Sequence, residues 1–276
     1  VPETAGVLER SGSAIHYWFA GPRRGPLLAF THGTCMDHRM FEPQLRPVWG
    51  AGYRTVRWDV RGHGRSKPIG KLPLTVGDIA DDLLALLDNL VAGSQFFLVG
   101  QSLGGHVAQE LTFRHPERVA GLALIGCTCR TLQAAPWRAW ARKLPPRVAR
   151  LRSTSHLRHR VARSAAIVPD VQTYAFEAAE RLSRSELLAV RRAAAGAAHP
   201  KPGYRIEQPL LLTHGEYDRT PGVAKEAPAW ADRDPRCRYE VIPRAGHLAH
   251  QDNPTAFNRV LLEFLTEHYR LPRPVR

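Results

Sequence analysis

The hydrophobic pattern changes period several times along the chain. Apolar runs of strand length occur at 27–31, 53–58, 96–100, 119–125, 209–213 and 238–242. Between them lie longer stretches with apolar residues at helical spacing, at 37–49, 75–91, 102–114, 220–231 and 254–268. Two shorter alternating stretches, 7–10 and 14–19, flank Ser11-Gly12-Ser13 and read as a hairpin. Strand–helix–strand alternation of this kind predicts an α/β fold: a mostly parallel eight-stranded sheet with helices on both faces. Asp78, Asp81 and Asp82 fall in the first turns of the 75–91 helix, where carboxylates suit the positive end of the helix dipole.

The alternation stops at Cys127 and resumes only after Arg205. The intervening sequence is helical in pattern, broken by Pro136, Pro145, Pro146 and Pro169 into four expected helices. Ser183-Arg184-Ser185-Glu186 has the capping-box form for the last of them. The expected organisation is a core of residues 1–126 and 206–276 interrupted by a helical lid, 127–205. Such an insertion sits over the strand ends, where open α/β sheets bind ligands.

Charge sharpens this division. The chain has 276 residues and a net charge of +14, with 34 Arg and only 5 Lys. Residues 127–205 hold 14 Arg and 2 Lys against Asp170, Glu177, Glu180 and Glu186, a net of +12, so nearly all the excess belongs to the expected lid. Three readings are open: a solvated helix face, steering of an anionic substrate, or docking on a membrane surface or polyanion. Nucleic acid is not expected as a partner, because the arginines alternate with Ala, Leu and Val as in packed helices and no recognition motif is present. No run of about 18 apolar residues suggests a membrane span. Val1-Pro2-Glu3-Thr4 shows no basic segment leading into an apolar one. Cys35, Cys127, Cys129 and Cys237 lack zinc or redox spacing and read as buried free thiols, so a cytoplasmic location is expected.

The chemistry concentrates where strands end. The run at 96–100 leads into Gly100-Gln101-Ser102-Leu103-Gly104-Gly105 and then directly into a helix. A strand that turns this sharply into a helix pushes the side chain of Ser102 out at the top of the sheet, and glycine at 100 and 104 removes side chains that would collide across the turn. A serine hydroxyl is a weak nucleophile and needs a base within reach, itself oriented by a carboxylate. Two further strands end in loops bearing such groups: Asp218 after His214-Gly215, and His247 after Gly246. His250 is the rival base and Glu216 the rival acid. No P-loop, dinucleotide fingerprint or metal constellation accompanies them, so neither cofactor nor metal is expected.

These motifs resemble those of the lidded members of the α/β-hydrolase superfamily: His32-Gly33, Asp59-x-Arg61-Gly62-His63-Gly64-x-Ser66, Gly100-x-Ser102-x-Gly104-Gly105, His214-Gly215-x-x-Asp218 and Gly246-His247 occur in family order, covering the chain outside the lid. The resemblance implies Ser102 as nucleophile, His247 as base and Asp218 as acid. It implies an oxyanion hole from the backbone N–H groups of Leu103 and of Thr34, with Cys35 as the alternative to Thr34. Some relatives carry the acid after the strand ending near Gly126; here Gly126-Cys127-Thr128-Cys129-Arg130 holds no carboxylate. By the same resemblance the Asp59–Arg61 turn is structural, as are His32, His63 and His214 or else pocket-lining. Epoxide hydrolases and haloalkane dehalogenases of this fold place Asp at the elbow, so Ser102 points away from both. Serine fits acyl transfer to water, with a carboxylic ester or lactone as the small-molecule substrate; it also fits perhydrolysis or C–C hydrolysis on the same residues. A ligand-binding member of the fold is the alternative of another class. Cys35, Met36, Trp137, Trp140, Tyr174 and Leu248 are the expected substrate contacts, with Leu144 and Phe176 as further pocket candidates.

Overall fold

A computed structural model describes residues 2–132 and 153–268. Eight strands form one sheet in the order β1-β2-β4-β3-β5-β6-β7-β8. These are β1 (Glu3–Arg10), β2 (Ser13–Ala20), β3 (Leu27–Thr31), β4 (Arg54–Trp58), β5 (Phe96–Gln101), β6 (Val119–Ile125), β7 (Leu210–Gly215) and β8 (Cys237–Ile242). β1 and β2 are antiparallel to each other, and β2 is antiparallel to β4; every other pairing is parallel. The mostly parallel eight-stranded sheet expected from the hydrophobic pattern is therefore present. β3, β5 and β7 are buried at every position, which is why they read as unbroken apolar runs rather than alternating ones. β1 begins earlier than the expected 7–10, because its first half is exposed and carries no alternation to read. The hairpin turns through Ser11 and Gly12, both at positive φ, as the tight twist-matched turn requires.

Helices cover the sheet: α1 (Glu42–Gly50), α2 (Val76–Val91), α3 (Leu103–Arg114), α4 (Thr154–Ala165), α5 (Pro169–Glu180), α6 (Arg184–Ala195), α7 (Val223–Arg233), the short α8 (Ala249–Asp252) and α9 (Pro254–His268). The stretch expected as one helix over 37–49 is a 3-10 turn, His38–Phe41, followed by α1. α2 starts with a complete capping box between Thr75 and Asp78. Asp82 departs from the dipole reading. Its carboxylate is fully buried and binds Arg61 through both oxygens, with Arg10 at 3.2 Å. Helix α2 is thereby tied to the Asp59–Ser66 loop.

β3 lies between β4 and β5, so the chain leaves it to one side and returns on the other. The loops after β3 and β5 diverge at that reversal, the position at which open parallel sheets form a ligand crevice. α4, α5 and α6 occupy the stretch between β6 and β7, three helices among the described residues where four were expected; the stretch carrying Pro136, Pro145 and Pro146 lies outside them. α4 and α5 pack together, and Leu157, Ala162, Ala165, Ala175, Ala178 and Ala179 are their buried residues. Their contacts with the core fall on the loops at the C-terminal strand edge. Tyr174 bonds Asp37, Arg39 pairs with Glu177 at 3.5 Å, and Leu248 N–H donates to Ala165 C=O at 2.7 Å. Among the described residues no helix is long and apolar enough to cross a membrane.

Candidate active site

Ser102 sits between the last residue of β5 and the first of α3 at φ +50°, ψ −107°. A non-glycine residue there is strained, and the neighbouring packing shows what holds it. Its N–H donates to Ile125 C=O on β6 at 2.9 Å, and its C=O accepts from His106 N–H at 3.1 Å. A Cβ at Gly100 would stand 2.3 Å from the Gly104 carbonyl oxygen, and one at Gly104 would stand 1.9 Å from that of Thr31. A Cβ at Gly105 would meet the Cys127 sulfur at 2.6 Å. All three glycines therefore answer to close backbone or side-chain approach, and together they fix a half-buried serine at the N-terminus of α3, where the first helical N–H groups have no partner within the helix.

The second loop of the crevice follows β3. Cys35 has φ +69°, and its N–H donates to His63 Nε2 at 3.1 Å; Met36 N–H donates to Gly33 C=O at 3.2 Å. Among the described residues the Thr34 N–H makes no hydrogen bond. His63 accepts at Nε2, so its proton sits on Nδ1, facing the carbonyl oxygens of Val60 and Arg61. Burial pushes the His63 pKa down to about 3, which keeps the ring neutral and able to accept. His32 accepts from Val60 N–H at 2.9 Å and is likewise lowered by burial. The two rings meet edge to face and brace the loops after β3 and β4.

Asp218 and His247 lie on the loops after β7 and β8. His247 Nδ1 donates to Asp218 Oδ2 at 2.8 Å, while Thr220 N–H donates to Asp218 Oδ1 at 2.8 Å. Thr220 Oγ lies 2.9 Å from the same His247 nitrogen. Burial alone would raise the Asp218 pKa. The hydrogen bond and charge of His247 and the two bonds from Thr220 outweigh it and hold this carboxyl below its ordinary value. Gly126, at φ +57°, leaves the space: a Cβ there would stand 2.9 Å from His247 Nδ1 and 3.1 Å from Asp218 Oδ2. His247 thus presents Nε2 as its remaining ring nitrogen on the sheet edge that carries Ser102. Among the described residues no hydrogen bond joins the Ser102 hydroxyl to that ring. Hydrogen bonds between candidate catalytic groups are often long before substrate arrives.

The rivals lie elsewhere. His250 is fully buried between Phe41 and Phe257, and burial, with the nearby His247 adding to it, pushes its pKa down to about 3. Glu216 is exposed and accepts from Arg244 N–H. His214 bonds Tyr239 and the Gly215 carbonyl. Of the expected substrate contacts, Cys35, Met36 and Leu248 are buried beside the crevice loops. The Tyr174 hydroxyl is engaged by the Asp37 backbone, and Phe176 stacks on His159. Trp137, Trp140 and Leu144 lie outside the described residues. No three His, Cys, Asp or Glu side chains among the described residues are grouped to hold a metal ion.

Two contributors were not anticipated from sequence. Gln101 Nε2 donates to the His247 carbonyl at 3.2 Å, and its Oε1 fills the space that a side chain at Gly33 would need. Thr220 contacts both Asp218 and His247. Position 101 is a free choice in the Gly-x-Ser-x-Gly pattern, and Thr220 follows Asp218 in an ordinary turn, so neither carries a local signal.

Comparison with known proteins gives the same frame. A family model described as "Alpha/beta hydrolase family" matches residues 28–260. The chain is 34% identical over 111 residues to the candidate carbamate hydrolase RutD of Variovorax paradoxus (strain S110), covering 40% of this chain and 41% of that one. The chain therefore spans less than half the length of that relative. It is 25% identical to Epoxide hydrolase 3 of Xenopus tropicalis over 96% of this chain and 78% of that one. Among solved structures, the enol-lactonase from Burkholderia xenovorans LB400 superposes with a TM-score of 0.78 at 26% identity, over 95% of this chain and all of that one.

Proposed function

Because the chain belongs to the alpha/beta hydrolase family, we propose that it is a serine hydrolase cleaving a carboxylic ester or lactone through an acyl-enzyme on Ser102. The carrying observation is the His247–Asp218 pair at 2.8 Å on the sheet edge that presents the strained Ser102. Ser102 Oγ attacks the substrate carbonyl carbon and passes its proton to His247 Nε2. Asp218, ionised and bonded to Nδ1, keeps the ring in the accepting tautomer and balances the imidazolium. The tetrahedral oxyanion is met by the Leu103 and Thr34 N–H groups. Engagement of Cys35 N–H by His63 supports Thr34 over Cys35. Collapse expels the alcohol, which takes the proton from His247. Water, deprotonated by the same ring, then releases the acid and restores Ser102.

Serine at the elbow supports acyl transfer over epoxide opening, although an epoxide hydrolase is among the relatives. The charge of Arg191, on α6, acts on the Cys35 thiol beside the proposed oxyanion hole. Together with the basic surplus of the sequence 127–205, this favours a substrate that carries a carboxylate of its own. A panel of neutral and carboxylate-bearing esters and lactones, run with wild type and Ser102→Ala, tests the reading. Turnover should be lost in Ser102→Ala while the fold survives. Wild-type rates in that variant, or no turnover of any ester or lactone by the wild type, would exclude it.

A further inference from the structure

Asp252, the last residue of α8, has a carboxylate that no cation pairs with among the described residues. Its oxygens accept backbone N–H groups from two segments far apart in sequence. Gly246 N–H donates to Oδ2 at 2.7 Å, from the residue before His247. Ile167 N–H donates at 3.0 Å to Oδ2 and 3.2 Å to Oδ1, and Val168 N–H donates to Oδ1 at 3.1 Å, both from the turn between α4 and α5. On the other side of His247, Leu248 N–H donates to Ala165 C=O at 2.7 Å. Both neighbours of His247 are thus fastened to residues 165–168 of the inserted helices. Gly246 leaves no slack: a Cβ there would lie 3.1 Å from Asp252 Oδ2, 3.3 Å from an Ile167 methyl-branch carbon and 3.5 Å from the Ala166 backbone. Gln172 Nε2 donates to Ala166 C=O at 2.8 Å and holds the same turn from α5. An ionised carboxylate accepting several backbone N–H groups makes strong, directional bonds.

We propose that Asp252 is a positioning residue that seats His247 by clamping its loop to the α4–α5 turn, so that the inserted helices set the placement of the base as well as covering the site. The inference rests on the reading of His247 as base. It predicts that loosening the clamp lowers the rate of the chemical step with little change in substrate binding. An asparagine at 252 cannot serve all these donors, because its NH2 group faces N–H groups whichever way it is flipped.

The test compares Asp252→Asn with Thr75→Ala, which removes the distant α2 cap, and with His247→Ala. Steady-state hydrolysis of p-nitrophenyl acetate, the rate of inactivation by a fluorophosphonate and a melting curve are recorded for each. Asp252→Asn should lose about 10- to 100-fold in kcat and in inactivation rate, the scale expected for ångström-level misplacement, with KM within about threefold. Thr75→Ala should keep wild-type kcat at a comparable loss of melting temperature. Wild-type kcat in a folded Asp252→Asn variant overturns the proposal, as does an equal loss of kcat in Thr75→Ala. Full activity in His247→Ala would instead overturn the functional reading beneath it. Should Asp252→Asn fail to fold, Gln172→Ala decides: a reduced kcat at unchanged KM supports the clamp, and an unchanged kcat overturns it.

Discussion

Gly104 is the position where packing and the proposed chemistry are most tightly coupled. A Cβ there would lie 1.9 Å from the Thr31 carbonyl oxygen, 2.6 Å from the carbonyl carbon and 3.0 Å from the His32 oxygen. The obstructing atoms are backbone, so no side-chain rotation relieves them. Helix α3 and strand β3 would have to part by about 1 Å or more in Gly104→Ala, at an overpacking cost of about 1–3 kcal/mol. Ser102 and Leu103 move with the helix, and Thr34 moves with β3. The proposed nucleophile and both oxyanion donors therefore lose their mutual geometry together. Misplacement on this scale costs about 10²-fold, or about 2.7 kcal/mol of transition-state stabilisation. The paired control is Gly50→Ala at the end of α1, where an added Cβ meets nothing within 4 Å. That change should leave activity intact and be neutral or stabilising by up to about 1 kcal/mol. Ester hydrolysis and urea unfolding of the two variants make the assay. A folded Gly104→Ala protein with wild-type kcat/KM would refute the reasoning.

Four further outcomes are expected. His63 and His250, both buried and both lowered to about 3, stay neutral in the fold but charge in the unfolded chain below its histidine pKa of about 6.5. Their stabilisation is full above about pH 6.5 and falls as pH drops toward about 3, each contributing a slope of about 1.4 kcal/mol per pH unit. Urea midpoints at pH 7 and 5.5 should differ accordingly, and His250→Leu should reduce the difference while leaving ester turnover unchanged; an equal acid sensitivity in that variant would contradict the assignment. Asp218→Asn should cut kcat by about 10³- to 10⁴-fold with the fold intact, and Thr220→Val should lower it less, both read by steady-state kinetics; equal losses would show Thr220 to be as essential as the acid. Cys35 and Cys237, each pushed up to about 12 by burial, should resist iodoacetamide at pH 8 until the protein is unfolded, followed by mass spectrometry. Arg191→Gln should raise KM for a carboxylate-bearing ester by several-fold and leave a neutral ester unaffected, and equal effects on the two would remove the argument for an anionic substrate.

The parts legible in the sequence are those whose signal is local. β3, β5 and β7 are buried on both faces and so appear as continuous apolar runs. Gly100 and Gly104 stand beside Ser102 because the turn has no room for a Cβ, and that necessity is written within five residues. The strands before Asp218 and His247 fix the sheet edge on which those loops emerge, so their meeting could be anticipated. What escaped is what depends on partners distant in sequence. Asp82 has the composition of a helix-dipole carboxylate, and only the fold shows Arg61 and Arg10 converging on it. Asp252 bonds residues 84 and 85 positions away, and Gln101 reaches 146 positions to His247. The engagement of Cys35 N–H, which bears on the proposed choice of Thr34 over Cys35, is equally hidden in the sequence, because its acceptor is a histidine 28 residues on.

The central claim is that Ser102 forms a covalent intermediate. Incubating the protein with an alkyl fluorophosphonate, digesting it and locating the adduct by mass spectrometry tests this directly. One equivalent of phosphonate is expected on the peptide containing Ser102, with loss of ester turnover in proportion to labelling and no adduct in Ser102→Ala. A wild-type protein that hydrolyses esters yet carries the adduct on another residue, or on none, would contradict it.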